Sequence, residues 1–147
     1  MKELLKYISK NKIGKAEKNV SLKRKTSYKA GGTAKIIVTP KNIEKLIELL
    51  KYIKENNLEY KILGNGSNLI FSDGIYEPII IKLDELKKLE INDTVVKVEA
   101  GYSLIALAMK TARLGLTGME FATGIPGTVG GAVYMNAGAY KSDMGYI

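Results

Sequence analysis

The sequence has no histidine, cysteine or tryptophan among its 147 residues, and only three prolines and two phenylalanines. Without Cys or His there is no thiolate nucleophile, no Ser-His-Asp triad, no disulfide framework and no ordinary zinc or haem ligand set. Catalysis by such a chain has to come from carboxylates, Ser, Tyr, Lys or Arg, or from a bound organic cofactor. The missing cysteines agree with a reducing compartment, and a cytoplasmic location is expected. The start MKELLKYISK is too charged for a signal peptide, whose apolar core runs to roughly 7–15 residues.

Positive charge is unevenly spread. Residues 1–29 hold ten Lys and Arg against Glu3 and Glu17, which accounts for the whole formal net charge of +8; from Ala30 onward thirteen basic residues face thirteen acidic ones. The body of the chain is neutral, and residues 1–20 read as a basic N-terminal helix or arm. A basic arm can grip nucleic acid or phosphorylated ligands. The plainer reading is a solvated amphipathic helix with Leu4, Leu5 and Ile8 on one side, and the lack of an arginine cluster with interleaved aromatics weighs against a nucleic-acid partner. Phe121–Tyr140 runs twenty residues without a charge, about the length that crosses a bilayer. Its five glycines, Pro126, Asn136 and two threonines leave it too polar for a membrane span.

Beyond the arm, Lys35–Val38 reads as a strand and Thr39-Pro40 as a helix N-cap with a first-turn proline. Ile43, Leu46, Ile47, Leu50 and Ile53 then recur at helical spacing to about Glu55. Tyr60–Leu63 and Leu69–Phe71 read as strands flanking Gly64-Asn65-Gly66-Ser67-Asn68, with Ser72-Asp73-Gly74 as a turn. Pro78–Leu83 suits a buried strand and Val95–Glu99 a half-buried one. Ser103 caps a helix that faces Leu104, Leu107, Ala108 and Ala112 inward and stops at Gly115. The succession is α+β or mixed α/β.

Two glycine segments carry chemistry. In Gly64-Asn65-Gly66-Ser67-Asn68, two glycines two apart let successive N–H groups converge into an anion-binding nest, with Ser67 and Asn68 as further donors. A Walker loop is excluded because no Lys-Ser/Thr follows, and a Rossmann fingerprint because the sixth residue is Leu69 and a strand-like segment follows. An ordinary hairpin turn is the alternative. The second segment is Gly124-Ile125-Pro126-Gly127-Thr128-Val129-Gly130-Gly131-Ala132, continuing to Asn136-Ala137-Gly138. It has too many glycines for an unsupported helix, each costing about 0.8–1 kcal/mol relative to Ala. A surface without side chains suits the close approach of a flat ring system, with Thr128 and free N–H groups as donors; a tightly packed neighbouring helix is the alternative.

Together with Thr26-Ser27-Tyr28-Lys29-Ala30-Gly31-Gly32-Thr33-Ala34 and Gly118-Met119-Glu120-Phe121, these blocks resemble, in order and separation, the signatures of the UDP-N-acetylenolpyruvoylglucosamine reductases. The resemblance runs from about residue 20 to the end, and the run GIPGTVGGAVYMNAGAY is its most specific part. It implies non-covalent FAD in a fold of the vanillyl-alcohol-oxidase (PCMH) type, an α+β domain of two subdomains spanning 21–147. Gly64, Asn65, Gly66, Ser67 and Asn68 would cradle the FAD pyrophosphate. Gly124, Ile125, Pro126, Gly127, Thr128, Gly130 and Gly131, with Asn136, Ala137 and Gly138, would lie along the flavin and its ribityl-phosphate chain. The pattern departs after Tyr140, where the family continues Gly-Gly-Glu and this chain has Lys141-Ser142-Asp143.

The resemblance further implies NADPH as hydride donor and UDP-N-acetylglucosamine enolpyruvate as substrate, in peptidoglycan synthesis. The family's substrate domain, with its catalytic Arg, Ser and Glu, is expected after Ile147, so no catalytic residue is assigned. Ser67, Ser72 and Ser103 fall in the phosphate loop, a turn and a helix cap, and Arg113 on a helix. Another FAD oxidoreductase of the same fold and a non-catalytic anion-binding module are the alternatives.

Overall fold

Two isoleucine-rich segments set the architecture. Ile36, Ile37 and Val38, and likewise Ile79, Ile80 and Ile81, are all buried, which a strand achieves only when both of its faces are covered. The computed structural model describes residues 1–147 and divides into two units, Met1–Leu86 and Lys87–Ile147. In chain order the first unit comprises α1 (Lys2–Lys10), β1 (Gly14–Ser21), β2 (Thr33–Pro40), α2 (Ile43–Glu55), β3 (Tyr60–Leu63), β4 (Ile75–Tyr76) and β5 (Ile79–Lys82).

The strands form one sheet in the order β1-β2-β5-β3, with β4 also paired to β2. β1 runs antiparallel to β2, from Gly14 opposite Pro40 to Ser21 opposite Thr33. β5 runs parallel to both neighbours, placing Ile37 opposite Ile80 and Leu63 opposite Lys82. On one face Ile36, Val38, Ile79 and Ile81 pack with Leu4 and Ile8 of α1 and Leu49 and Ile53 of α2. On the other, Ile37, Ile80 and Leu63 pack with Leu22, Ala34 and the half-buried Phe71.

The lysine-rich N-terminal segment therefore belongs to this unit's core and sheet. Tyr7 of α1 stacks on Tyr52 of α2 with ring centroids 3.9 Å apart. Burial, and then the Glu48 carboxylate, hold the Tyr7 phenol above its ordinary value. Its neutral form is thus favoured by folding; that contribution is complete below the ordinary phenol value, about 10, and is lost as pH rises through the higher folded one.

Helix α2 starts later than the sequence suggests. Pro40 is the last residue of β2, opposite Gly14, and the cap is Asn42, whose Oδ1 accepts the Lys45 N–H at 2.9 Å. Leu69–Phe71, expected as a strand, is irregular. Leu69 and Ile70 are exposed, and the partner of β3 is the parallel β5. That pairing removes the hairpin alternative for the intervening glycine loop.

The second unit comprises β6 (Leu89–Asn92), β7 (Val95–Val98), α3 (Leu104–Arg113), α4 (Val129–Tyr134), β8 (Gly138–Ala139) and β9 (Ser142–Asp143). Leu104, Leu107 and Ala108 of α3 pack with Met119, Phe121, Ala122, Val129 and Ala132. Ser103 caps α3, its Oγ accepting the Ala106 N–H. Ala112, expected inward, is exposed; Thr111 is buried instead because its hydroxyl donates to the Ala108 carbonyl at 2.9 Å. The glycines at 130 and 131 do sit in a helix, α4, one turn and a half long.

All four helices stop the same way. Lys12, Asn57, Gly115 and Asn136 take positive φ, and the N–H of the following residue returns to the carbonyl of Ile8, Ile53, Thr111 or Ala132, the Schellman arrangement. No helix is long and apolar enough to cross a membrane. Replacing the α2 cap, Asn42→Ala, is expected to cost about 1 kcal/mol while Asn42→Asp retains most of it; urea unfolding monitored by circular dichroism checks both.

Candidate functional site

The first glycine loop leaves the sheet at the C-terminal end of β3, the end at which ligands approach parallel strands. Gly66 has φ +66°. Its carbonyl accepts the Ser27 N–H at 3.1 Å, and the Gly64 carbonyl accepts from Lys82 Nζ at 3.2 Å. The N–H groups of Asn65, Gly66, Ser67 and Asn68 donate to no acceptor in the chain. Asn65 and Asn68 are exposed and the loop carries no carboxylate. Four consecutive uncommitted donors without a neighbouring acid in the loop suit an anion with several oxygens.

Gly66 is a glycine for reasons of packing as well as φ. A methyl group there would lie 2.2 Å from the Lys25 carbonyl oxygen. The Thr26–Ala34 block thus supports the loop: Thr26 is buried and its hydroxyl lies 3.2 Å from the Ala30 carbonyl. Lys25, Ser27 and Lys82 are absent from the residues that the sequence singled out for the site. The only signal for Lys82 was a charge closing a run of isoleucines.

In the second unit, Gly124 meets nothing within 4 Å of an added methyl. Gly124, Pro126 and Gly131 are exposed, and Ile125 and Gly127 half-buried. Thr128 is buried and caps α4, its Oγ accepting the Gly131 N–H at 3.3 Å. The sequence suggested free N–H donors here; besides that of Gly131, those of Ile125, Val129 and Gly130 are committed internally, to the carbonyls of Ala122 at 3.3 Å and of Tyr102 and Ala100 at 2.9 Å. Those of Gly127 and Thr128 have no acceptor in the chain. Gly130 also lies against Ala100, where a methyl would come within 2.7 Å of its Cβ, so this glycine serves close packing within the protein.

Asn136 is the left-handed residue after α4, with its side chain exposed, and the Ala137 N–H closes that helix end. Gly138 pairs with Asp143 across the β8–β9 hairpin. The hairpin turns on Tyr140 and Lys141, at φ +53° and +64°, as a two-residue turn of matching twist requires. Lys141 stands where the resembled family has glycine, the residue that best tolerates this conformation.

A sequence model described as the FAD binding domain matches residues 34–146. The chain belongs to the FAD-binding domain family. Its α+β fold is the vanillyl-alcohol-oxidase (PCMH) type, and its cofactor is FAD. The UDP-N-acetylenolpyruvoylglucosamine reductase of Anoxybacillus flavithermus is 45% identical across this whole chain, which spans 49% of that relative's length. The crystal structure of the corresponding reductase from Thermus caldophilus matches with a TM-score of 0.70 at 36% identity, over 88% of this chain and 45% of that one. An alkyldihydroxyacetonephosphate synthase structure matches with a TM-score of 0.69 at 15% identity, over 95% of this chain and 30% of that one, a likeness of fold alone.

Taken separately, each unit has a segment compatible with part of an FAD molecule: in the first, the loop after β3 has four unspent amides such as an anion with several oxygens requires, and in the second, Gly124 is open backbone. Alanine at Gly66 is expected to destabilise by roughly 2–4 kcal/mol and at Gly130 by roughly 1–3 kcal/mol, from overlap with backbone and Ala100. Gly124→Ala stays within about 0.5 kcal/mol of the parent. Thermal unfolding of the ligand-free chain separates the three, so loss of FAD binding in Gly124→Ala reports the ligand rather than the fold. Lys141→Gly is expected to stabilise by about 1 kcal/mol by relieving the left-handed conformation, read as a raised Tm.

Proposed function

We propose that this chain is the FAD-binding part of an NADPH-dependent reductase that converts UDP-N-acetylglucosamine enolpyruvate to UDP-N-acetylmuramate in the cytoplasm. The observation that carries the reading is 45% identity to a UDP-N-acetylenolpyruvoylglucosamine reductase maintained over the whole chain. The free amides of the Gly64–Asn68 loop support it independently, since they supply what a pyrophosphate needs.

On this reading residues 21–147 form the cofactor domain, and residues 1–20 complete the core and sheet of its first unit. Gly64, Asn65, Gly66, Ser67 and Asn68 hold the pyrophosphate. Gly124 to Thr128, Gly130, Gly131 and Asn136 to Gly138 line the path of the flavin and its ribityl chain. When bound, FAD supplies hydride transfer between a nicotinamide and the enolpyruvyl double bond. The chain's own task is to bind and orient: it hydrogen-bonds the pyrophosphate with backbone amides held by the fold, and its small residues admit the ring. The chain spans about half the length of the reductases it matches, and the groups that bind the sugar nucleotide and protonate it are placed in the half it does not span.

The 147-residue chain incubated with FAD and passed through a gel-filtration column should carry flavin absorbance in one-to-one ratio with protein. Alone it should not turn over the enolpyruvyl sugar nucleotide with NADPH. Protein that elutes free of flavin after incubation with excess FAD would overturn the reading.

A further inference from the structure

Lys82 is the one charged residue among those buried in the chain. It closes the run Ile79-Ile80-Ile81-Lys82, and strand alternation puts it on the same face as Ile80, the face that packs with Leu22, Ile37 and Leu63. An ammonium group held out of water carries a desolvation cost, so its retention at a core-facing position asks for a reason.

Its two partners differ in what they explain. Nζ lies 3.3 Å from the Asp84 carboxylate, with side-chain exposures of 10% for Lys82 and 42% for Asp84. A carboxylate that much in water gains little from an ion pair. The second bond, 3.2 Å to the Gly64 carbonyl, ties the lysine to the first residue of the loop. A planar trans peptide points its carbonyl and N–H in opposite directions, and the chain has no cis bond. Holding the Gly64 carbonyl on Lys82 therefore turns the Asn65 N–H, one of the four uncommitted donors, away from the lysine. Ser27 does the same for the next peptide but one, fixing the Gly66 carbonyl and with it the Ser67 N–H.

We propose that Lys82 is a positioning residue for the cofactor pyrophosphate: through the Gly64 carbonyl it fixes and polarises the Asn65 N–H, and it places a positive charge behind the loop. This rests on the reading of Gly64–Asn68 as the pyrophosphate site. The lysine acts through the peptide and so differs from the phosphate-contacting lysine of a Walker loop.

The test compares FAD affinity, by flavin fluorescence titration of the 147-residue chain, with the 31P resonances of FAD at saturation. Lys82→Met should weaken FAD about ten- to a hundredfold, the size expected when a charged hydrogen bond is lost, and should shift the pyrophosphate resonances. Lys82→Arg should restore most of the affinity, and Asp84→Asn should leave it within about twofold, since the exposed ion pair is not the functional bond. Asn65→Asp, isosteric and exposed, tests the site itself by placing a carboxylate in the loop, and should also weaken FAD. If Asn65→Asp weakens FAD while Lys82→Met keeps parental affinity and 31P shifts, the role of Lys82 is refuted and the pyrophosphate site stands. If neither changes binding, the site assignment falls and the role of Lys82 with it. If Lys82→Met only lowers the Tm of the ligand-free chain and leaves the 31P shifts in place, the lysine is structural and the proposal is overturned; where that variant does not fold, parental 31P shifts and affinity in Lys82→Gln overturn it equally.

Discussion

β2 and β5 bury apolar side chains on both faces, and the first unit is organised around satisfying them. A parallel pair cannot be closed by a tight turn and requires a crossover. Helix α2 follows β2, covers one face, and delivers the chain to β3 on the far side of β5. The register of β3 on β5 then sets Leu63 opposite Lys82. The glycine loop begins where β3 ends, and a basic side chain stands beneath it where the apolar run of β5 ends. Its place in the fold is a consequence of strand pairing several residues away.

The glycines divide by what surrounds them. Gly66 and Gly130 are small because the protein's own backbone or a neighbouring alanine comes close. Gly124 is small with nothing beside it. The first kind is a requirement of folding and the second is compatible with a requirement of binding. A glycine-rich sequence segment mixes the two, and only the distances separate them. The same holds for Asn136, which ends a helix in the left-handed conformation, and for Thr128, which caps that helix; both have structural tasks that a reading of the segment as a ligand surface does not include.

Much of the fold could be read from local pattern. The spacing of Ile43 to Ile53, the isoleucine run at 79–81, the Ser103 cap and the Gly115 stop each correspond to an observed element, because each is governed by contacts within a few residues. The misreadings arise where distant partners decide. Residues 14–21 became a strand because β2 offers an unpaired edge; Pro40 joined that strand and left the cap to Asn42; and Leu69–Phe71 has no strand beside it to pair with. For the site, the glycine blocks were visible in the sequence, whereas Lys25, Ser27 and Lys82 come to the loop only through the sheet.

The pairing of β1 bears on the surplus positive charge. β1 is an outer strand of the sheet, and it covers an edge of β2 whose alternation of isoleucine, valine and threonine would otherwise be a template for intermolecular pairing. The edge it presents in turn carries the exposed Lys15 and Lys18, and is broken by Asn19 at φ +52°. Charge and irregularity on an outer strand both discourage another molecule from adding to it. Part of the N-terminal lysine excess thus lies where charge works against strand addition at this edge, so trimming the N-terminal segment would uncover the edge of β2 as well as shrink the core.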